Sequence, residues 1–454
     1  MTATSRTPGF ILAAPASGSG KTLTTLGLLR AFRKRGLTMA SAKVGPDYID
    51  PAFHTEASGA PCINLDTWAM RPDTITGLVS GLEAHGDLIL AEGVMGLFDG
   101  AMVPGGTDPC RNGSTAALAR LTGWPVVLVV NVKGQASSAA AVVRGFASHD
   151  PDVAIAGVIF NNVGMGRHME ILVEATQAAV PGVKILGGIP KTQGIGVPER
   201  HLGLVQAHEH PDLPGFLDQA ADLIASKIDM DALLELARPA NIPSVASVTA
   251  PVLIPPMGQR IAVARDVAFG FCYPTLISGW RAAGAEISFF SPLANEAPAA
   301  DCDAVYLPGG YPELHAGQIA AAGVFLDGVR AAATANKPVF GECGGYMTLG
   351  EVLTDKDGTD HAMLGLLPLQ TSYAKRRLHM GYRVATVLAD APFAAKGSIV
   401  RAHEFHYASI IAEDPSDPLF AITDAAGTDK GTVGQVRGSV YGSFMHLIDQ
   451  ETSA

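Results

Sequence analysis

The chain has 454 residues, enough for two or three domains, and its 48% apolar and 17% charged residues exclude disorder as the main theme. Against 32 Lys and Arg stand 43 Asp and Glu, a net charge of −11 that repels nucleic acid and anionic membrane surfaces. No apolar run approaches the roughly 18 residues of a spanning helix.

The N-terminal FILAAPA imitates a signal-peptide core, but only Arg6 precedes it and a glycine-rich GSGKT follows at once, which argues against a secretory leader. The five cysteines, Cys62, Cys110, Cys272, Cys302 and Cys343, are never closer than 30 residues, which excludes a C-x-x-C zinc or redox site. Their odd number argues against a disulfide framework, and a cytoplasmic chain is expected.

From residue 9 to about 190, GFILAAP, TMASAKVG, DLILAEG, PVVLVVNV, VAIAGVIF and VKILGGIP each have the length of a buried strand. Helix-like stretches separate them. In KTLTTLGLLRAFRKRG, Leu23, Leu26, Leu29 and Phe32 recur every third residue, and basic residues crowd the last turn before Gly36. Apolar strands alternating with helices predict a doubly wound α/β domain with a parallel sheet over residues 1–235. Residues 236–258 hold five prolines and almost no charge, a linker. A second alternating series over 259–454 runs through RIAVARD, ISFFSP, DAVYLPGG, KPVFGE and a final strand SVYGSFMHL, and predicts a second α/β domain.

Directly after the first strand, PASGSGKT opens the first helix. The backbone of Ser17, Gly18, Ser19 and Gly20 can turn successive N–H groups toward phosphate oxygens, Lys21 can reach the β/γ-phosphates, and Thr22 can hold magnesium. The strand–turn–helix setting points to ATP. Pro15 replaces the usual first glycine of the eight-residue pattern, so this is a variant of the loop. Magnesium needs further oxygen ligands, and carboxylates at the C-terminal ends of neighbouring strands can supply them: Asp47 after TMASAKVG and Glu92 after DLILA. Each acid taken alone is also what a solvated loop carries. Lys43 is a further phosphate candidate, while Asp50 and His54 are read as shaping the loop.

In the second domain NKPVFGECGGYMTLG reads as strand, tight turn and helix, a bend that lifts Cys343 onto a helix N-terminus and is expected to lower its thiol pKa from about 8.5 toward neutrality. As base His446 has the best claim, with His403 and His406 as alternatives, and LPGGYPE offers the N–H groups of Gly309 and Gly310 as an oxyanion hole.

Together these residues resemble the cobyrinic acid a,c-diamide synthase family, including its hydrogenobyrinic acid version, over almost the whole chain. The marks are PASGSGKT, KVGPDYIDP with FH after it, AEGVMGLFDG, ERHLGL, PGGYPE, GECGGYM and HMGYR. The resemblance implies a dethiobiotin-synthetase-like ATP domain joined to a class I glutamine amidotransferase domain. It also implies Thr22, Asp47 and Glu92 for magnesium, Asn161 as adenine reader, Cys343 as nucleophile and His446 as its base. Class I amidotransferases place an acid two residues after that histidine. Here the position is Ile448, so a Cys–His dyad is expected, with Glu404 and Asp449 the open alternatives for orienting the imidazole.

The chemistry so implied is ATP- and glutamine-dependent amidation of the a and c carboxylates of a corrinoid, through an acyl phosphate and ammonia released at Cys343. Lys375, Arg376, Arg377 and Arg383, with Lys191 and Arg200, are candidate contacts for a substrate bearing many carboxylates; a solvated basic loop would look the same. By resemblance a homodimer is expected. Amidation of another tetrapyrrole (cobyric acid synthase-like, or of nickel-sirohydrochlorin) and a regulatory protein with an inactive amidotransferase domain are the alternatives.

Overall fold

A computed structural model describes residues 6–102, 110–191, 199–200, 203–204, 206–243 and 249–451. They fall into two compact units, one built from the chain up to Thr249, the other from Ala250 onward together with the short segment Ala69–Thr74.

The first unit is ordered by its most apolar segments. Strands β1 (Pro8–Ala13), β2 (Met39–Val44), β3 (Ile63–Leu65), β4 (Leu88–Glu92), β5 (Val126–Asn131), β6 (Ile155–Val163) and β7 (Lys184–Pro190) form one parallel sheet in the order β3-β2-β4-β1-β5-β6-β7. β1, β2, β4 and β5 are buried almost throughout because helices cover both faces, which is why they read as continuous apolar runs without alternation. Helices α1 (Lys21–Lys34), α2 (Asp50–Ser58), α3 (Pro72–His85), α4 (Thr115–Thr122), α5 (Ser138–His149), α6 (His168–Ala179), α7 (Leu213–Lys227) and α8 (Met230–Leu236) make the crossovers and the outer layer. In α1, Leu26, Leu29 and Phe32 are fully buried, as their spacing predicts, and Leu23 is half-buried. The order reverses at β1: its neighbours β4 and β5 lead in opposite directions, and this switch point is where a doubly wound sheet opens a crevice at its C-terminal edge.

β3 is an element the sequence pattern did not reveal, being three residues long. Two short strands, β8 (Glu199–Arg200) and β9 (Gly203–Leu204), pair with each other, and β10 (Arg238–Pro239) adds antiparallel to β1. The stretch read as a linker is therefore ordered at its start. It is also ordered near its end, where the buried Ile254 offers its carbonyl to Trp280 Nε1 at 3.0 Å.

The second unit begins with β11 (Arg260–Ala264), α9 (Pro274–Ala282), β12 (Glu286–Phe290), β13 (Ala304–Leu307), α10 (Ala316–Ala321), α11 (Gly323–Thr334), β14 (Val339–Glu342) and α12 (Gly344–Leu349). Beyond them lie β15 (Val352–Thr354), β16 (Asp360–Ala362), β17 (Leu369–Ser372), β18 (His379–Val387), β19 (Ile399–His406), β20 (Ser409–Glu413), β21 (Phe420–Asp424), β22 (Asp429–Val433), β23 (Gln435–Arg437), β24 (Val440–Ser443) and β25 (Met445–Gln450). The main sheet runs β12-β11-β13-β14-β24-β23, parallel except for the edge strand β23. Two further sheets, β16-β15-β17-β20 and β22-β21-β18-β19-β25, are mostly antiparallel.

The expected final strand SVYGSFMHL is two strands in different sheets. β24 ends at Ser443, whose hydroxyl accepts from the Met445 N–H at 3.0 Å; this local bond replaces a ladder bond, turns the chain at the buried Phe444, and sends β25 into the antiparallel sheet. No helix among the described residues is long and apolar enough to cross a membrane.

Candidate functional site

The first site grows from the switch point. Gly20 caps α1 in the left-handed region (φ 94°), no side chain caps the first turn, and that turn holds no acid, so its orphan N–H groups stay open to an anion. A Cβ at Gly20 would stand 2.1 Å from Asn161 Nδ2, so only glycine lets the loop close on the end of β6. Asn161 there donates to the Ser19 carbonyl at 2.9 Å, and Ser17 and Gly18 are exposed at the loop's crest. Lys21 is buried and donates to the Met95 carbonyl at 2.5 Å; burial pulls its pKa below the usual lysine value, with Glu92 working against it. Met95 is held at φ 44° in a turn that Asp99 fastens by accepting the Gly96 N–H at 2.9 Å. Such strain in a non-glycine residue costs of order 1–3 kcal/mol and is found where a backbone carbonyl must be aimed.

Parallel register places Glu92 beside Leu12 on one strand and beside Lys43 on the other. Fully buried, its carboxylate accepts from Thr22 Oγ1 at 2.9 Å and Lys43 Nζ at 3.0 Å, and meets His54 Nε2 at 2.7 Å. Lys43 Nζ also donates to Asp50 at 2.5 Å and stands 3.8 Å from Asp47. Burial opposes every charge here, but pairing wins for three of them. Lys43 is raised well above the ordinary lysine value by Asp50, Glu92 and Asp47; Glu92 is held far below the carboxylate range by Lys43 and His54; and His54 is lifted to about 10 by Cys62 and Glu92. For Asp50 burial prevails over Lys43 and pushes it to about 7.

The sequence thus brought Thr22, Lys43, Asp47 and Glu92 together, whereas Asp50 and His54, read only as loop shapers, bond directly to the central groups. Their signal lay in the KVGPDYIDP–FH motif itself. The donor set suits magnesium: Thr22 and three carboxylates are hard oxygen ligands, and the Lys43 ammonium already occupies their centre as a cation.

The second site is a strained elbow. Cys343 follows β14 with φ 48° and ψ −103°, and its N–H donates to the Ser443 carbonyl at 2.8 Å. The thiol donates to the Phe405 carbonyl at 3.5 Å and is faced by the N–H groups of Gly344 and Gly310. His446 is fully buried, its ring against Gly309 and hydrogen-bonded to the same Phe405 carbonyl. The expected lowering of the thiol pKa is reversed in this structure. Burial, then the nearby Glu313, push Cys343 up, and the N–H groups of Gly344, at the start of a six-residue helix, and of Gly310, in the loop after β13, oppose this only in part. Burial, followed by His403 and His406, pushes His446 down to about 3. The pair is therefore a neutral thiol beside a neutral imidazole. Gly310 and Gly344 face the sulfur, while Gly309 serves as the floor under the histidine.

Neither alternative acid is committed to His446. Asp449 accepts from the Arg71 N–H and Thr74 Oγ1, both at 2.8 Å, and Glu404 binds Arg383 at 2.5 Å and His406 at 3.2 Å. His379, Glu404 and His406 come close enough to suggest a metal centre, with ligand atoms within 4.8 Å of one another. The two rings, however, stack parallel within 2°, which aims their in-plane lone pairs past each other, and Arg383 already neutralises the carboxylate. Of the basic candidates, Lys375, Arg376 and Arg377 are exposed, as is Lys191; Arg383 is taken up by Glu404, and the Arg200 side chain lies outside the described residues.

Residues 10–205 match the CobQ/CobB/MinD/ParA nucleotide binding domain, and residues 260–453 match the CobB/CobQ-like glutamine amidotransferase domain. The chain is 54% identical over 443 residues to a hydrogenobyrinate a,c-diamide synthase of Brucella anthropi, covering 97% of this chain and 98% of that one. Proteins of the same name from Rhizobium meliloti (51%, covering 97% and 99%) and Mesorhizobium japonicum (50%, covering 97% and 98%) are similar over the same extent.

Proposed function

Because the chain belongs to the hydrogenobyrinate a,c-diamide synthase family, we propose how its residues divide the work of a glutamine-dependent amide ligase of cobalamin biosynthesis. A carboxylate resists attack by an amine until its oxygen becomes a phosphate leaving group, and the first unit supplies that activation from ATP. The open N-terminus of α1 and the loop from Ser17 to Gly20 hold the phosphates. Lys21 leaves the Met95 carbonyl for the β/γ-phosphates, and Asn161 serves the adenine side. Thr22, Asp47, Asp50 and Glu92 are the magnesium ligands; the metal, when bound, neutralises charge developing on the transferred group. Lys43 then holds its neighbouring carboxylates in place and turns toward phosphate oxygen.

In the second unit His446 takes the Cys343 proton as sulfur adds to the carboxamide carbon of glutamine. The N–H groups of Gly310 and Gly344 receive the oxyanion, the same imidazole returns the proton to the departing nitrogen, and ammonia leaves a thioester that water hydrolyses to glutamate. The acceptors are the a and c carboxylates of a corrinoid, with the exposed Lys375, Arg376 and Arg377 as contacts for its other acids. The chain works as a homodimer in the cytoplasm, with domains at 1–235 and 259–454.

The observation that carries this reading is that one chain holds both a carboxylate-lined phosphate loop and a cysteine on a strained elbow beside a buried histidine. Mass spectrometry of the products from hydrogenobyrinic and cobyrinic acids, with ATP, magnesium and glutamine, tests it. Two successive conversions of carboxylate to amide are expected, and no mass change with either acid would refute it.

A further inference from the structure

The loop after β13 closes around the nucleophile. Gly309 lies under His446, Gly310 turns its N–H to Cys343, and Pro312 packs on Gly344, its Cδ only 2.8 Å from where a Cβ there would sit. Next comes Glu313, in the single 3₁₀ turn Pro312–Leu314. Its side chain is one that neither the phosphate chemistry nor the Cys–His pair uses. Glu313 is 5% exposed, its Oε2 has no hydrogen-bond partner, and among the described residues it forms no ion pair. Its charge is felt by Cys343, Tyr311 and Tyr373, and the Tyr311 hydroxyl is likewise buried without a partner.

A carboxylate taken out of water without a partner costs several kcal/mol. Burial accordingly pushes this one to about 8, opposed only by its own backbone N–H. Once ionised it also works against catalysis, since a second negative charge beside Cys343 disfavours the thiolate. Both defects vanish if a cation arrives with the substrate. Glutamine brings one: its α-ammonium group is three carbons from the carboxamide carbon that Cys343 attacks. The α-carboxylate would be repelled from this position, so the site also sets which end of the amino acid lies here.

We propose that Glu313 is the seat for the α-ammonium group of glutamine, and that it makes the glutaminase selective for an α-amino acid over a plain amide. This rests on the reading of the second unit as a glutaminase. Glu313 pairs with the ammonium group and the Tyr311 hydroxyl completes the seat. The paired carboxylate no longer opposes the thiolate, so the nucleophile is activated only when its true substrate is present.

The test uses the full chain with two amides, glutamine and 5-amino-5-oxopentanoate, which is glutamine without its α-amino group. The wild type is expected to favour glutamine in kcat/KM by about 30-fold or more, the range set by a buried charge pair. In Glu313→Gln this preference should collapse, through a fall on glutamine and not on the analogue, with KM carrying most of the change. Glu313→Asp, which keeps the charge, should retain part of it. Unchanged hydrolysis of the analogue shows that the second unit is folded in both variants, and persistent amidation driven by ammonium chloride shows the same for the first. A Glu313→Gln enzyme that keeps the wild-type preference, or loses activity equally on both amides, overturns the proposal, as does a wild type with no preference. Failure of the wild type to hydrolyse glutamine at all would instead overturn the glutaminase reading.

Discussion

Replacing Gly345 by alanine tests whether the elbow's placement governs glutamine hydrolysis. Gly345 is the second residue of α12, and its N–H donates to the Pro308 carbonyl at 3.1 Å, which draws the helix onto the end of β13. An added Cβ would lie 1.9 Å from the Leu307 carbonyl oxygen and 2.6 Å from its carbon, both backbone atoms that no rotamer change can move. Reaching even the 3.0 Å floor of real contacts requires the helix to retreat by about 1.1 Å. Overpacking on that scale costs about 1–3 kcal/mol of stability. A 1 Å displacement of a reacting group costs about 100-fold in rate, so glutaminase kcat/KM should fall by about that factor. Ammonium-driven amidation, which bypasses Cys343, should stay near wild type in the same preparation. Gly323→Ala at the start of α11, where nothing lies within 4 Å of the added methyl, is the control and should change stability by less than about 0.5 kcal/mol. A folded Gly345→Ala protein that hydrolyses glutamine at the wild-type rate would refute the argument.

Cys343→Ala should lose glutamine-dependent synthesis and keep synthesis from ammonium; retained use of glutamine would remove Cys343 as nucleophile. Glu92→Gln leaves one acceptor oxygen but removes the charge that pairs with Lys43 and His54, so it should lower stability by about 3–5 kcal/mol and abolish product from either nitrogen source, while glutamine hydrolysis persists. A near-normal amidation rate would show the ATP site to be misplaced. Chelating magnesium should likewise stop amidation and spare glutamine hydrolysis, measured as glutamate release. Glu342, whose carboxylate accepts from Tyr306 Oη at 2.7 Å and the Leu447 N–H at 3.1 Å, is raised by burial from 4.5 to about 8. A raised carboxyl binds its proton more tightly in the folded state, so its contribution is present below about pH 4.5 and lost as pH rises through about 8. Relative to Glu342→Gln, the wild type should therefore lose Tm between pH 5 and 9; a difference independent of pH would contradict the shift.

Local pattern was enough to reveal the first unit's parallel sheet, because strands covered on both faces must be apolar throughout and their connecting helices carry a period of their own. The phosphate loop and the cysteine elbow were legible for a related reason: each is a short backbone device whose glycines and reactive residue are neighbours in sequence. The antiparallel sheets of the second unit were not legible, since most of their strands from β15 to β22 are short or partly exposed and several partners lie far along the chain, as β18 meets β21 and β19 meets β25. Residue charge states were also beyond the sequence. PASGSGKT and GECGG mark where Lys21 and Cys343 lie, but Lys43 became the centre of a carboxylate cradle only when β2 and β4 came into register. Cys343 gained a raised thiol, in place of the lowered one expected at a helix N-terminus, only when the loop carrying Glu313 folded over it and removed it from water. Desolvation and the pairing of charges remote in sequence belong to tertiary packing, which alone decides what surrounds a residue once the chain has closed.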